Sequence, residues 1–295
     1  MEDRKFKIAL FGNEYQEKKS MAAQKLIAVA SELGIDIAIS EGFCSFLRDK
    51  MLIDIPECEI ISDDNFTADI AVSMGGDGTF LQTASRVSHR NIPILGINTG
   101  RLGFLANFSP EDIEPALNDI FRGKYNVEHH SVLRMTCDEM PLKGYPFSLN
   151  EIAILKHDIS AMISIHTSID GEYLTTYQAD GLIISTPTGS TAYSLSVGGP
   201  IIVPQLGAIV LTPVAPHSLN MRPIVISDNS TVDLCVESRS KNFLVSFDGR
   251  SQGYPDNIHL HINKAPYSVK VITRPDGSYF STLRTKMMWG ADVRK

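Results

Sequence analysis

The stretch from Val72 to Thr83 reads VSMGGDGTFLQT: an apolar run enters, a helix-like run leaves, and between them stand three glycines, one carboxylate and one hydroxyl. A strand, a glycine-rich turn and a helix gather free backbone N–H groups at one point with the helix dipole behind them, which suits a phosphate. Gly75, Gly76 and Gly78 let the backbone approach such a group closely. Asp77 does not belong in a turn that only binds phosphate, because its charge repels the ligand. It belongs where a hydroxyl must lose a proton as a phosphoryl group arrives. The competing reading is a capped strand-to-helix turn with Asp77 or Thr79 as N-cap. Neither GxxxxGK[ST] nor GxGxxG after a predicted strand occurs in the chain.

A second stretch, Asp180 to Pro200, reads DGLIISTPTGSTAYSLSVGGP and crowds Ser185, Thr186, Thr188, Ser190, Thr191, Ser194 and Ser196 among glycines. A strand runs into this loop, and TAYSLS is long enough for one helical turn. Short donors and acceptors beside exposed backbone suit the edge of a purine or the hydroxyls of a ribose. A solvated Ser/Thr-rich turn is the plainer alternative. Asn150-Glu151, in SLNEIAI, sets two adjacent polar residues in an apolar strand run. Successive strand side chains point to opposite faces, so both reach one ligand only at a strand end or bulge. One solvent-facing carboxylate beside one turn amide is the alternative.

These residues need elements to hold them. KIALFG, IDIAIS, ADIAVSM and IPILGIN read as buried strands, alternating with helices in SMAAQKLIAVASELG, FLQTASRVSH and SPEDIEPALNDIFRG. Ser20 is the predicted N-cap and Gly34 the C′ residue of the first helix. Ser109, Pro110 and Asp112 approximate a capping box for the last. This alternation predicts an α/β domain with a parallel sheet and helices on both faces. From Tyr125 short strands dominate: HSVLRMTC, FSLNEIAILK, the run from Ala161 to Ile169, GLIIST, AIVLTPV, RPIVIS, STVDLCVE, FLVSFDG, HLHIN and YSVKVIT. Asp170-Gly171 signals a hairpin, and His129-His130 reads as a solvated strand start. The expected division is an α/β domain over residues 1–124 and a β-rich, sandwich-like, mostly antiparallel domain over 125–272. A helix in FSTLRTKMMWG, within 273–295, is expected to pack back on the first domain, and the site is expected in the cleft between the two.

The chain has 295 residues, 43% of them hydrophobic, enough for one large or two medium cores. A net charge of −7 argues against nucleic acid or a membrane surface as partner. Anionic small ligands stay open, because backbone N–H groups bind phosphate locally. No segment approaches the ~18 apolar residues of a membrane span, and the apolar run in MEDRKFKIALFG is too short for a signal sequence. The cysteines Cys44, Cys58, Cys137 and Cys235 lack CxxC spacing, so a cytoplasmic protein with buried thiols is expected. Arg101, in GINTGRLGFL, follows a strand end where ligands of parallel sheets gather; it contacts phosphate or pairs with an acid. Phe104 packs on a bound ligand or belongs to the core.

In chain order, GGDGT (Gly75 to Thr79), Asn150-Glu151, TPTGSTAY (Thr186 to Tyr193), PHSLNMRPIV (Pro216 to Val225) and SFDG (Ser246 to Gly249) together resemble the NAD kinase family of bacterial type, across nearly the whole chain. GGDGT alone is shared with diacylglycerol and sphingosine kinases and with phosphofructokinases, and TPTGSTAY with the lipid kinases. In lipid kinases, however, Asn-Glu follows GGDGT almost directly, whereas here Phe80-Leu81-Gln82 follows it. The resemblance implies ATP-dependent phosphorylation of NAD, with Mg²⁺, at the 2′-hydroxyl of the adenosine ribose. It implies that Asp77 accepts the hydroxyl proton and that Asn150 and Glu151 hold the ribose and adenine. Asp180, Thr188, Thr191, Ala192, Tyr193 and Ser196 would line the dinucleotide site, with Asp248 at its edge. Gly75, Gly76, Gly78 and Thr79 would face the NAD pyrophosphate or the ATP phosphates. No all-protein metal cage is expected, since Mg²⁺ binds mainly through substrate phosphates and water. A homodimer or homotetramer is implied as well. Two rivals remain: a lipid kinase of the same superfamily with an apolar acceptor pocket, and a nucleotide-sensing protein without catalysis. Asp77 argues against the second, because binding alone has no use for a carboxylate near phosphates.

Overall fold

A computed structural model describes residues 5–12, 20–100, 103–158, 161–274 and 277–290. The chain forms two compact units, Met1–His129 with Val269–Lys295, and His130–Ser268.

In the first unit β1 (Lys7–Gly12), β2 (Asp36–Ser40), β3 (Glu59–Ile61), β4 (Ile70–Gly75) and β5 (Ile94–Asn98) pair in parallel in the order 3-2-1-4-5. The chain's winding direction reverses between β1 and β4, the position where open α/β sheets take their ligands. The GGDGT turn leaves the C-terminal end of β4 at that point. β4 is buried along its whole length, as a strand covered on both faces must be. The helices are α1 (Ser20–Glu32), α2 (Glu41–Ser45), α3 (Asp77–Val87) and α4 (Ile113–Phe121). α3 buries Phe80, Thr83, Ala84 and Val87, and α4 buries Ile113, Ala116, Leu117 and Ile120. Both sets follow the i, i+3, i+4, i+7 spacing of one helical face.

The predicted helix boundaries have visible causes. Gly34 sits at φ +68° beyond α1. Ile35 N–H donates to Ala30 O at 2.9 Å and Gly34 N–H to Ser31 O at 3.1 Å, the two bonds of a Schellman motif. Before α4, Ser109 N–H and Oγ each donate to Asp112 Oδ2 at 2.8 Å, and Asp112 N–H returns a bond to Ser109 O at 3.0 Å. Arg274 also holds that carboxylate, at 2.8 Å. Two elements were not predicted. A helical segment runs from Glu41 through Lys50, and β3 precedes ADIAVSM, which is therefore the fourth strand. β3 buries only Ile61 of three residues and offers no periodicity to read.

The chain enters the second unit along β6 (Asn126–Cys137) and continues through β7 (Phe147–Ser148), β8 (Glu151–Lys156), β9 (Ile163–Ile169), β10 (Glu172–Ala179) and β11 (Gly181–Ser185). A short helix, α5 (Tyr193–Ser196), precedes β12 (Ala208–Val214), β13 (Ile224–Ser227), β14 (Val232–Glu237), β15 (Asn242–Phe247), β16 (Arg250–Pro255) and β17 (His259–Thr273). One antiparallel sheet has the order 13-12-11-8-15-16. In the other, β9 lies between β10 and β14, and β14 pairs with β17. Ile152, Ile154, Leu182, Ile184 and Phe243 from the first sheet pack with Ile163, Ile165, Val232, Leu234 and Leu260 from the second in one core, a sandwich. The β9–β10 hairpin turns at Asp170 and Gly171, both at positive φ (51° and 82°), as a two-residue type I′ turn requires.

Three strand expectations are corrected. FSLNEIAILK is two strands broken at Leu149 and Asn150. HLHIN and YSVKVIT are one strand, β17, in which Val271 pairs in parallel with Ile94 of the first unit's sheet. RSQGYP, unpredicted because of its Gly and Pro, forms β16 at a sheet edge, where Pro is tolerated. The terminal helix is α6 (Tyr279–Met287). Among the described residues no helix is long and apolar enough to cross a membrane.

Gly34 has open space where a Cβ would stand, so Gly34→Ala isolates the conformational cost of its positive φ. That cost is about 1 kcal/mol, and a thermal melt should show a Tm lower by ~2–4 °C. An unchanged Tm would remove the left-handed cap from the account of α1.

Candidate active site

Asp77 is the first residue of α3, and Gly76, with φ −99° and ψ −169°, occupies the N-cap without any side-chain bond. The competing reading, in which Asp77 or Thr79 caps the helix, therefore does not hold. Asp77 turns instead toward the segment after β5. Its Oδ2 accepts the Phe104 N–H (2.9 Å) and the Lys286 ammonium (3.1 Å). Its Oδ1 accepts the Leu105 and Ala106 N–H groups at 3.0 and 3.1 Å. The close approach dictates two glycines: a Cβ on Gly103 would stand 2.1 Å from Asp77 Oδ1, and one on Gly96 would stand 2.7 Å from the Ala106 Cα. Asn98 adds a bond from Nδ2 to Ala106 O at 3.3 Å.

Within GGDGT only Gly75 is fixed by packing, since its Cβ would lie 2.2 Å from Thr79 Oγ1. At Gly76 and Gly78 a Cβ would meet nothing within 4 Å among the described residues. Phe104 is half-buried; its ring lies 4.4 Å from the Lys286 ammonium and 6.2 Å from the Tyr279 ring. Arg101 lies outside the described residues.

In the second unit, Asn150 and Glu151 stand at the break between β7 and β8, a strand end. Asp248, at φ +48° between β15 and β16, fixes that break. Its Oδ2 accepts the Leu149 N–H at 2.8 Å, and its Oδ1 accepts those of Asn150 and Glu151 at 2.8 and 3.1 Å. Asn150 and Glu151 are 8% and 9% exposed. Asn150 Oδ1 and Glu151 Oε2 are buried with no hydrogen-bond partner among the described residues.

Burial and the nearby Asp248 carboxylate push the Glu151 carboxyl up to about 8, with only the Tyr193 backbone amide opposing. Burial also raises Asp248, but three backbone N–H groups and the Arg250 guanidinium oppose it there. Glu151 keeps its proton at neutral pH.

The hydroxyl-rich loop is neither solvated nor a row of open donors. Thr186 donates to Leu149 O at 2.6 Å and Ser190 to Pro187 O at 2.6 Å, while Ser194 meets Thr212 at 3.0 Å. Thr188 Oγ1 lies 2.8 Å from His130 Nδ1, and Thr191 donates to Thr188 O at 3.4 Å. Ser185, Thr186, Thr188, Ser190 and Ser194 are buried, as is His130, which corrects its reading as a solvated strand start. The loop folds as a 3₁₀ turn at Thr188–Thr191 followed by α5. A Cβ on Gly189 would lie 2.1 Å from Asn150 O, so the loop rests on the Asn150 backbone.

The structure thus gathers Asn150, Glu151, Asp248 and the Tyr193 amide, with the turn at Thr188–Thr191 resting on the Asn150 backbone through Gly189. Asp180 is not brought to this group. Ser185 pairs with Glu151 but Gly181 with Leu155, four residue steps or about 13 Å of strand away, and Asp180 pairs there with Lys156 at 2.7 Å. Sequence reasoning missed Lys286, Gly96, Gly103 and His130. Only the last carried a signal, as half of a His-His pair at a strand.

Comparison with known proteins finds a match for each part of the chain. The ATP-NAD kinase N-terminal domain model matches residues 8–125, and the ATP-NAD kinase C-terminal domain model matches 149–274. An NAD kinase of Bacteroides fragilis is 55% identical over 288 residues, covering 98% of this chain and 99% of its own. The crystal structure of an NAD kinase from Archaeoglobus fulgidus in complex with ATP matches with a TM-score of 0.74 at 27% identity, over 96% of this chain and 99% of that one. Yeast NADH kinase complexed with NADH shares the fold, with a TM-score of 0.88 at 22% identity over 99% and 90% of the two chains. From the strand-turn-helix that carries Asp77 to the sandwich that carries Asn150 and Glu151, the chain belongs to the NAD kinase family.

Proposed function

We propose that this chain performs the family's reaction, transfer of the ATP γ-phosphoryl group to the 2′-hydroxyl of the adenosine ribose of NAD to give NADP, with Asp77 as proton acceptor and Asn150 and Glu151 as holders of the adenosine. One observation carries the adenosine assignment: the buried polar atoms Asn150 Oδ1 and Glu151 Oε2, on adjacent residues, lack partners among the described residues. Leaving such an atom unpaired costs roughly 1–3 kcal/mol, and ribose hydroxyls and an adenine amino group supply the donors. A protonated Glu151 both donates and accepts, matching a hydroxyl that does the same. Backbone of the 188–196 loop supplies further contacts, since Thr188 and Thr191 already use their hydroxyls internally.

A ribose hydroxyl is a weak nucleophile, and its proton must leave as the new O–P bond forms. Asp77 is held at the switch point of the sheet by three backbone N–H groups, so its position needs no reorganisation at the moment of reaction. The first turn of α3 around Gly76 and Gly78 suits a phosphate of either substrate. The family's use of ATP implies a divalent ion, which we take as Mg²⁺. An ion carried by phosphate oxygens and water needs few ligands from the protein. When bound with ATP it neutralises charge on the transferring group.

Asp77→Asn should lower NADP formation by ~10²–10⁴ while leaving NAD affinity, read by calorimetry, unchanged. It should also lower stability by about 1–3 kcal/mol, because an amide NH₂ would face the Phe104 N–H. A folded Asn variant with wild-type turnover would refute the base role.

Glu151→Gln should split function from stability. Below pH 4.5 Glu151 is protonated in both folded and unfolded chains. Between 4.5 and about 8 the unfolded chain releases the proton and the folded one keeps it, so stability falls as pH rises through that window. The loss at pH 7 is on the order of 3 kcal/mol. The Gln variant should therefore melt above the wild type at pH 7–8 and level with it near pH 4, yet bind NAD more weakly. Melting curves that coincide at every pH would contradict a buried neutral Glu151.

A further inference from the structure

We propose that Lys286 binds the phosphates of the ATP donor and, by moving onto them, frees Asp77 to take the proton. This rests on Asp77 as the base. The observation is a double hold on one ammonium. Lys286 Nζ lies 3.1 Å from Asp77 Oδ2 and 4.4 Å from the centre of the Phe104 ring, whose own N–H donates to the same oxygen at 2.9 Å. An aromatic face attracts a cation, so the ring and the carboxylate together define where the ammonium rests. The helix that delivers it, α6, is anchored by the buried Leu283.

Each carboxylate oxygen offers about two lone-pair sites. Oδ1 has given both to Leu105 and Ala106, and Oδ2 has given its two to Phe104 and Lys286. A hydroxyl proton has no site on Asp77 until one donor leaves. Three of the four donors are successive N–H groups of one segment, held against β5 by the close approach at Gly96 and by Asn98, and they cannot leave singly. Lys286 is the one that can. It sits on a flexible stem, its side chain 31% exposed, and two of its three N–H bonds are left for other acceptors. A triphosphate, with several negative charges against one on the carboxylate, draws the ammonium away while the Phe104 ring still faces it.

The step then balances. Lys286 transfers its hydrogen bond from Oδ2 to donor phosphate oxygens. The ribose O2′ bonds to the γ-phosphorus as the bond from that phosphorus to the bridging oxygen of ADP breaks, and the electron pair leaves with ADP. The O2′ proton goes to Oδ2. Proton acceptance is thereby tied to the presence of the donor, so the base is masked when no triphosphate is there to uncover it.

Calorimetric titration with inorganic tripolyphosphate, alongside steady-state assays with ATP, Mg²⁺ and NAD, tests the assignment. In Lys286→Met, which keeps the stem over Phe104, tripolyphosphate should bind roughly tenfold more weakly. The KM for ATP should rise in proportion, with the KM for NAD and the Tm unmoved, and Lys286→Arg should restore most of the loss. Unchanged tripolyphosphate binding would overturn the proposal. So would a fall in Tm with both KM values rising together, because that pattern describes a latch for α6. The titration needs no turnover, so it rules on Lys286 even if Asp77→Asn shows that the base lies elsewhere.

Discussion

A carboxylate that accepts three successive backbone N–H groups is the device on which the candidate residues of each unit depend. Asp77 holds Phe104, Leu105 and Ala106; Asp248 holds Leu149, Asn150 and Glu151. Bonds from N–H to an ionised acceptor are roughly twice as strong as neutral ones, and three in a row leave a tripeptide little freedom. In the second unit this permits an arrangement that would otherwise relax away: two buried side chains with polar atoms unpaired. The backbone beneath them is fixed from outside, so it cannot rotate to satisfy them. The close approach of chain to chain also explains why Gly96, Gly103 and Gly189 stand where they do, each at a spot where a Cβ would collide.

Much of the fold was legible because its signals are local. The 3.6-residue stripe of α4, the capping box at Ser109, the Schellman glycine at Gly34 and the Asp170-Gly171 turn each act within a few residues, and each appears as read. GGDGT was legible as a strand-to-helix turn with a carboxylate out of place. What its carboxylate touches was not. The partners of Asp77 lie 27, 28, 29 and 209 positions away, and nothing in a pattern of nearby residues encodes them. Composition misled in the hydroxyl-rich loop, where Ser and Thr suggested water or ligand. They are buried because the loop packs on the Asn150 backbone and must satisfy its own carbonyls. Adjacency does not give spatial nearness at Asp180, which neighbours the loop in sequence but stands at the opposite end of β11 from Glu151 by register. Pro266 misled in β17, a single strand that reads as two.

The chain's net charge is −7, yet its proposed substrates are anions. The conflict is resolved locally rather than by an overall basic surface. Acidic side chains at the site are turned inward onto N–H groups, and Glu151 is kept neutral by its surroundings. The expense is visible in the same residue, whose burial works against folding at the pH where the enzyme acts.

The first unit is discontinuous: its sheet gains Val271 beside β5, and Asp77 gains Lys286, from chain that follows the entire second unit. During synthesis at ~5–20 residues per second, the parallel strands therefore leave the ribosome well before the residues that finish them. In that interval the outer edge of β5 has no partner from the C-terminal segment, and an unpaired edge is a template for the wrong strand. The second unit, contiguous in sequence, can close while the first waits. A nascent or prematurely terminated chain thus carries a completed sandwich beside an unfinished sheet, and quality control has a ready mark by which to tell it from the finished enzyme.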